Sequence, residues 1–518
     1  MEAEPIPNRD TQRDTTHNQS TWTFERAADV VTRGAKTVRS ALTLAMNALD
    51  RVDGLVRTVS RDSRQVANDA TLFWVALSTS IAKLQQTARA TPRVMAALTE
   101  VGRLAAVYRL AYLKAGFLAA SSAERYLATV HTREGGKLRR FCERQGGGLL
   151  KVGQVLSTRG DLLPAAFIGE LAGLQDSAEP PPMAELEAAL DGWWPDWHER
   201  FALDAPLAAA SLAAVYRGRL VDGTPVAVKV QRPGIERVLA EDRTALDLIA
   251  RLFNEARPAA FANIDVRPIL AEVGKSLSEE VDFAAEHAMS RRFEAALPPT
   301  LCRVPGLRLE PHPRVLVMDL VDGLRLPEAL REPGSAAPLL TDLARVFAHA
   351  LLVHGLVHGD PHPGNVLVLA SESPPRLALL DFGSAVVLTE PERKAYLGLL
   401  VGLMGRQRAP LVQALSTLGF TTDGTPAEPS SLEALADALC AMPRPADLKS
   451  IDPREELERG LSLMRGHGHL QMPGHMIRVG RALGTLGGLF LTHRDELDND
   501  RLDLPRLLME VVLEASRR

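Results

Sequence analysis

This 518-residue chain has no long uncharged run, little cysteine and no basic excess, and each shortage removes a class of protein. No window of 18 residues lacks a charge. Leu104–Ala120 is broken by Arg109 and Lys114, and Tyr396–Met404 is too short, so any membrane contact is expected to be peripheral. Only Cys142, Cys302 and Cys440 are present, far apart. They offer neither metal spacing nor a disulfide framework, which suits a reducing, cytoplasmic compartment. The net charge of −4 argues against a general nucleic-acid binder, so no nucleic acid is expected as partner. The start, MEAEPIPNRDTQRD, has no basic stretch followed by an apolar run, so a secretory leader is not expected. What is present, 46% hydrophobic and 24% charged residues, fits a globular protein with ample core.

Residues 1–20 are polar and read as disordered. Residues 21–134 read as successive helices, with Val30, Val31, Val38, Leu42, Leu49, Val52 and Val56 near a 3.6 period. Two readings stand for them: a bundle packed on the rest, or a basic amphipathic helix on a membrane surface. A second helical region spans 135–200 and ends near Pro180–Pro182 and GWWPDW. From 201 to 323 the texture includes short β runs, with SLAAVYRGRL and PVAVKVQ joined at Asp222-Gly223 as a hairpin and RVLVMDLVDG as a further strand. Residues 324–518 read as mainly helical, interrupted by a motif-dense loop.

Glycine is missing where a phosphate loop would want it. In PLAAASLAAVYRG, Leu207, Ala208, Ala209, Ala210, Ser211, Ala213 and Val215 occupy the place of a kinase-type G-x-G-x-x-G-x-V loop, and Lys229 follows in VAVK. Such a loop needs small side chains so that backbone N–H groups can approach phosphates. Alanine keeps that approach partly open but penalises positive φ, so a stiffer loop is expected. An alanine-rich core strand would explain the stretch about as well on its own.

The chain then reads VHGDPHPGNVLV and LALLDFGSA. Asp360 precedes Asn365 by the spacing of H-R-D-x-x-x-x-N, with His358 present and Gly359 in place of arginine. Asp381-Phe382-Gly383 follows. Hard oxygen ligands from Asn365 and Asp381 suit Mg²⁺, Lys229 suits nucleotide phosphates, and Asp360 suits a hydroxyl or water nucleophile. A lysine of this kind needs a helical carboxylate, and Glu279, Glu280, Asp282 and Glu286 are all candidates by spacing.

Together with Lys151-Val152-Gly153-Gln154 (a K-x-G-Q motif) and the alanine-rich loop, these residues resemble the UbiB/AarF-domain atypical kinase family, strongly over about 135–400. The resemblance implies an α+β, protein-kinase-like fold, with a small β-rich N-lobe, a helical C-lobe and an N-terminal helical extension. It implies that Lys229 pairs with Glu286, that Asp360 is the catalytic-loop aspartate, and that Asn365 and Asp381 hold the metal. It makes Glu280 and Asp282 an E-x-D pair toward which Lys151 reaches, with Gln154 beside it, and it makes Met318 and Asp319 part of the hinge beside adenine. Ala214 and Asp319 depart from the family's common glutamine and glutamate. The cofactors implied are ATP and Mg²⁺. The implied role is a kinase or ATPase supporting isoprenoid quinone or related lipid metabolism at the inner face of a membrane. No long activation segment separates DFGSAVVL from TEPERKAYLGLL, which speaks against peptide substrates. A small-molecule phosphotransferase and a nucleotide-switched lipid-binding scaffold are the alternatives.

Overall fold

A computed structural model describes residues 91–157, 163–174, 179–256, 273–274, 277, 281–369, 374–422, 425–441, 470–499 and 504–517. The expectations for 1–90, and those for Glu279 and Glu280, lie outside these residues. The chain divides into two compact units, one taking residues up to 175 with 234–274, the other 176–233 with 275–518.

The described part of the first unit is helical: α1 (Pro92–Ala115), α2 (Ala120–Gln145), α3 (Gly147–Ser157), α4 (Ala165–Leu171) and, later in sequence, α6 (Ile235–Ala256). Leu98, Phe141, Leu149, Leu150 and Ala245 form a core shared by α1, α2, α3 and α6. Arg93 ties the same helices together, bonding the fully buried Asp242 carboxylate, the Gln145 carbonyl at 2.6 Å and the Gly146 carbonyl at 2.8 Å. The expected boundary at 134/135 falls inside α2, whose Glu134 and Gly135 are both buried, so no linker exists there. The expected N-lobe of 201–323 is likewise divided, because α6 closes the core of the helical unit.

In the second unit, α5 (Met183–Trp193) precedes a four-stranded antiparallel sheet, β1 (Phe201–Ala209), β2 (Ala213–Leu220), β3 (Pro225–Gln231) and β4 (Val315–Asp319), in that order. The hairpin between β2 and β3 turns at Asp222-Gly223 as its sequence predicts. Gly223 has φ +84°, and the Asp222 carboxylate accepts from the Thr224 amide at 2.9 Å. Side chains alternate faces along a strand. Val226, Val228 and Val230 therefore point together into a core with Leu186, Leu190, Trp194 and Trp197, each valine contributing about 1.5–3 kcal/mol on burial. The GWWPDW stretch is thus the backing of the sheet. The same parity turns Lys229 to the opposite face.

Helix α7 (Phe283–Ala296) follows, and after β4 come β5 (Leu324–Arg325), α8 (Ala336–His354), β6 (Leu356–Val357), the hairpin β7 (Val366–Leu369) and β8 (Arg376–Leu379), and β9 (Val386–Val387). Helices α9 (Glu390–Gly405), α10 (Arg408–Leu418), α11 (Pro429–Ala441), α12 (Gly474–Thr492), α13 (Arg494–Asn499) and α14 (Leu504–Ala515) complete the unit. The region after 390 also carries a small sheet from Thr421–Thr422, Thr425–Pro426 and Leu470–Gln471. Among the described residues α8 alone is long and apolar enough to cross a membrane, but its window is 61% buried inside the unit, where it is the core helix. A small antiparallel sheet followed by a helical lobe gives the α+β, kinase-like architecture that the sequence predicts.

Candidate active site

Lys229 lies on β3 and Glu286 on α7, and the lysine Nζ donates to both Glu286 oxygens, at 2.7 and 2.9 Å. Asp282 caps α7, accepting from the Ala285 amide at 2.9 Å. That capping choice leaves Glu286, one turn further on, as the carboxylate that meets Lys229. Phe283, fully buried, lies beneath the ammonium with its ring centre 5.2 Å from Nζ.

The Asp381 carboxylate reaches the same ammonium at 3.2 Å. The two acids differ in access, since the Glu286 side chain is 4% exposed and that of Asp381 45%. Glu286 is the fixed partner and Asp381 the accessible one. Burial pushes the Glu286 carboxyl up to about 7, with the Asp381 charge adding to the effect and Lys229 opposing it. Burial alone would lower the Lys229 pKa; the carboxylates of Asp381 and Glu286 outweigh it and hold it above the ordinary lysine value. Asp381 is held below the usual carboxylate range, because Lys229 and the Gly383 amide overcome the effect of burial.

Register brings the catalytic loop to Asp381. Val366 of β7 pairs with Leu379 of β8, and the Leu380 amide donates to the Asn365 carbonyl at 2.8 Å. Asn365 and Asp381 are therefore one step apart across a two-strand ladder, although 16 positions apart in sequence. The Asn365 side chain closes the loop by donating to the Asp360 carbonyl at 3.2 Å. His358 is buried among Phe293, Phe347 and Phe382 and bonds the Leu380 carbonyl at 3.0 Å, and its burial keeps the ring below its ordinary pKa. Asp381 has φ +59°, a costly conformation for a non-glycine residue, with the Gly383 amide donating to its Oδ1 at 3.2 Å. An accessible carboxylate and an amide side chain carried at neighbouring backbone positions are donor types that suit Mg²⁺. Among the described residues no cluster of three acid, histidine or cysteine side chains competes for a metal.

The alanine-rich stretch is mostly strand. Leu207, Ala208 and Ala209 end β1, Ala213 and Val215 begin β2, and only Ala210, Ser211 and Leu212 form the turn. Ala208 pairs with Val215, and the Ala210 amide donates to the Ala213 carbonyl at 2.8 Å. Among the described residues only Asp381 and Arg406 are non-glycine residues at positive φ, so the turn does not need glycine's backbone freedom. Arg232 stiffens it, with its side chain donating to the Ala210 carbonyl at 2.7 Å and its amide to the Leu212 carbonyl at 3.0 Å. Ala213 is 8% exposed and packs on Phe283 and Leu316, with Met318 partly buried beside them.

Asp319 ends β4, the strand next to β3. Its carboxylate is held by the Arg308 guanidinium and by the Gly306 amide, which ties β4 to the preceding loop. Lys151 and Gln154 lie on α3 of the helical unit, and Asp282 lies in the other. The glycine of their motif has a local reason: a Cβ at Gly153 would stand 2.5 Å from Leu174 Cδ1 and 3.1 Å from Cys142 Sγ. The sequence reading missed Arg232 and Phe283. Phe283 follows the capping acid directly, which is a usable signal; Arg232 has none.

Residues 173–415 match the ABC1 atypical kinase-like domain. The protein ACTIVITY OF BC1 COMPLEX KINASE 3, chloroplastic, of Arabidopsis thaliana is 34% identical over 58% of this chain and 44% of its own length. The AarF domain-containing protein kinase 1 of Xenopus tropicalis is 30% identical over 57% of both chains. The chain spans about half the length of the curated relatives it matches. Among solved structures, Rv3197 of Mycobacterium tuberculosis in complex with erythromycin has a TM-score of 0.43 and 22% identity, covering 71% of this chain and 92% of that one.

Proposed function

Because the chain belongs to the ABC1 atypical kinase-like family, the UbiB/AarF-domain group, we propose that it binds Mg-ATP and transfers or releases the γ-phosphoryl group in support of isoprenoid quinone or related lipid metabolism at a membrane surface facing the cytoplasm. The observation that carries this reading is the bidentate Lys229–Glu286 pair with Asp381 on the same ammonium. That arrangement positions a cation for nucleotide phosphates and leaves an accessible carboxylate beside it. Asn365 and Asp381 would hold Mg²⁺, which would supply charge neutralisation for the phosphates. Asp360 would orient the hydroxyl or water that attacks, and the alanine turn that Arg232 braces would lie over the phosphates.

The length of the segment after Asp381-Phe382-Gly383 favours a small acceptor over a peptide. Thr389 caps α9 with a capping box to Glu392, so only six residues separate Gly383 from the helix and no peptide platform intervenes. A lipid or other small hydroxyl acceptor, or water, is the consistent choice. A nucleotide-switched scaffold is disfavoured by the intact Lys229–Glu286 pair.

Phosphate release from Mg-ATP by the purified protein, with and without anionic vesicles and with Asp381→Asn as control, tests the proposal. Release that rises with vesicles and vanishes in the variant is expected. No release under either condition would leave nucleotide binding as a switch and move the scaffold to the front.

A further inference from the structure

The segment between Gly383 and α9 lacks the residue that would hold it in a protein kinase. There the catalytic loop reads H-R-D, and activation loops are ordered when a phosphoresidue pairs with arginine. Here Gly359 stands at the arginine position, with φ +77°. A Cβ at Gly359 would collide with the Ser384 carbonyl oxygen, so the segment packs directly on the space an arginine side chain would need. An arginine nevertheless reaches the same carbonyl. Arg478, on the first turn of α12, donates from Nη1 to the Ser384 oxygen at 2.9 Å.

The same turn grips the far end of the segment. His475 Nδ1 lies 3.4 Å from Glu392 Oε1, the acid of the α9 capping box, and its ring meets Tyr396 edge-on with centroids 5.8 Å apart. Residues 475 and 478 are three apart and share one helix face. Between the two grips the segment is paired to the loop before Gly359. Leu356 and Val357 face Val387 and Val386, and the Leu388 amide donates to the Gly355 carbonyl at 2.7 Å. Ser384 adjoins Gly383, whose amide holds Asp381 in its strained conformation.

We infer that the first turn of α12 is a built-in clamp, with Arg478 as a positioning residue that holds the Ser384 carbonyl and thereby Asp381 in its metal-competent geometry. The clamp replaces the phosphorylation-dependent ordering of a long activation loop. Control over the site then passes through the docking of α12, not through modification of the segment. The inference rests on the proposed metal role of Asp381.

The test uses full-length protein and the variants Arg478→Ala and Arg478→Lys. Two readouts are taken: hydrogen exchange of residues 384–388 without metal, and binding of a fluorescent ATP analogue as Mg²⁺ is raised. Arg478→Ala is expected to speed exchange at 384–388 and to raise the Mg²⁺ concentration for half-maximal binding about tenfold, the scale of one lost charge-assisted hydrogen bond. Arg478→Lys, which keeps a donor, should stay within about threefold of the parent on both readouts. Metal-free binding of the analogue, equal in all three proteins, shows that each is folded. Arg478→Ala matching the parent on both readouts would overturn the clamp. So would equal loss of metal-free binding in both variants, which would mark a general packing role. If the parent itself shows no Mg²⁺ dependence, the proposed function fails, and the exchange readout alone decides the clamp.

Discussion

Glu286 and Asp381 share one ammonium, yet removing each has a different consequence. Glu286 is buried and bidentate, so Glu286→Gln leaves Asp381 as the one acid paired with Lys229 among the described residues. The ammonium should then swing toward Asp381 and compete with Mg²⁺ for it. Nucleotide turnover is expected to fall about 10- to 100-fold, matching the roughly 1.5–3 kcal/mol of a hydrogen bond to a charged group. Unimpaired turnover in that variant would remove Glu286 from the working site. Asp381→Asn keeps the shape but removes the charge that faces Mg²⁺. Phosphate release should drop to background while metal-free nucleotide binding survives, and a titration of both quantities in the variant checks this. Retained Mg²⁺-dependent release would sink the metal assignment.

At the scale of elements, the β1–β2 turn shows what propensity does not carry. The run Ala205 to Ala210 has no β-branched residue, and β1 exists because β2 pairs with it. Ala208 therefore sits in a ladder opposite Val215, and Ala208→Gly should loosen the strand end by about 0.5–1 kcal/mol. The looser hairpin should alter the ratio of ADP to ATP affinity, measured by isothermal titration; an unchanged ratio would count against a phosphate-contacting role for this stretch. The contrast with the catalytic loop is instructive. His358, Asp360, Asn365 and Asp381 were legible from their motif spacing, and one short hairpin, with Val366 opposite Leu379, brings the backbones of Asn365 and Asp381 together. Lys229 was legible from VAVK after the alanine-rich loop, and strand parity turns it away from Val226, Val228 and Val230. By spacing alone Glu286 was one of several acids, and only the family resemblance singled it out; the Asp282 cap sets the phase of α7 that carries it. Arg232 and Arg478 were not legible, since each meets its carbonyl through tertiary packing, across 22 and 94 positions of sequence. The same holds for α6, whose helical pattern says nothing of which core it closes.

For the molecule as a whole, two buried carboxylates make the two units answer pH with opposite signs. Glu134, with its side chain fully buried in the helical unit, bonds Arg103, Arg133 at 2.7 Å and Lys137 at 3.1 Å. Burial alone would raise its pKa, but these three cations bring it to about 2. A carboxyl lowered on folding stabilises fully above its unfolded value and loses that contribution as pH falls toward 2. Glu286, in the other unit, is raised to about 7. A carboxyl raised on folding stabilises most below its unfolded value, near 4.5, and loses that contribution as pH rises through 7. Between pH 5 and 8, without Mg²⁺, hydrogen exchange corrected for intrinsic rates should therefore show protection of residues 283–296 falling with rising pH, while 120–145 hold steady. Below pH 4.5 the order reverses, and 120–145 lose protection. Glu286→Gln should flatten the first trend and leave the second. Glu134→Gln should flatten the second and cost the helical unit about 1–3 kcal/mol at pH 7, the scale of a hydrogen bond to a charged group, because the partly exposed Arg103, Arg133 and Lys137 lose their shared acid. Parallel trends in both segments would mean that neither carboxylate sets the local response.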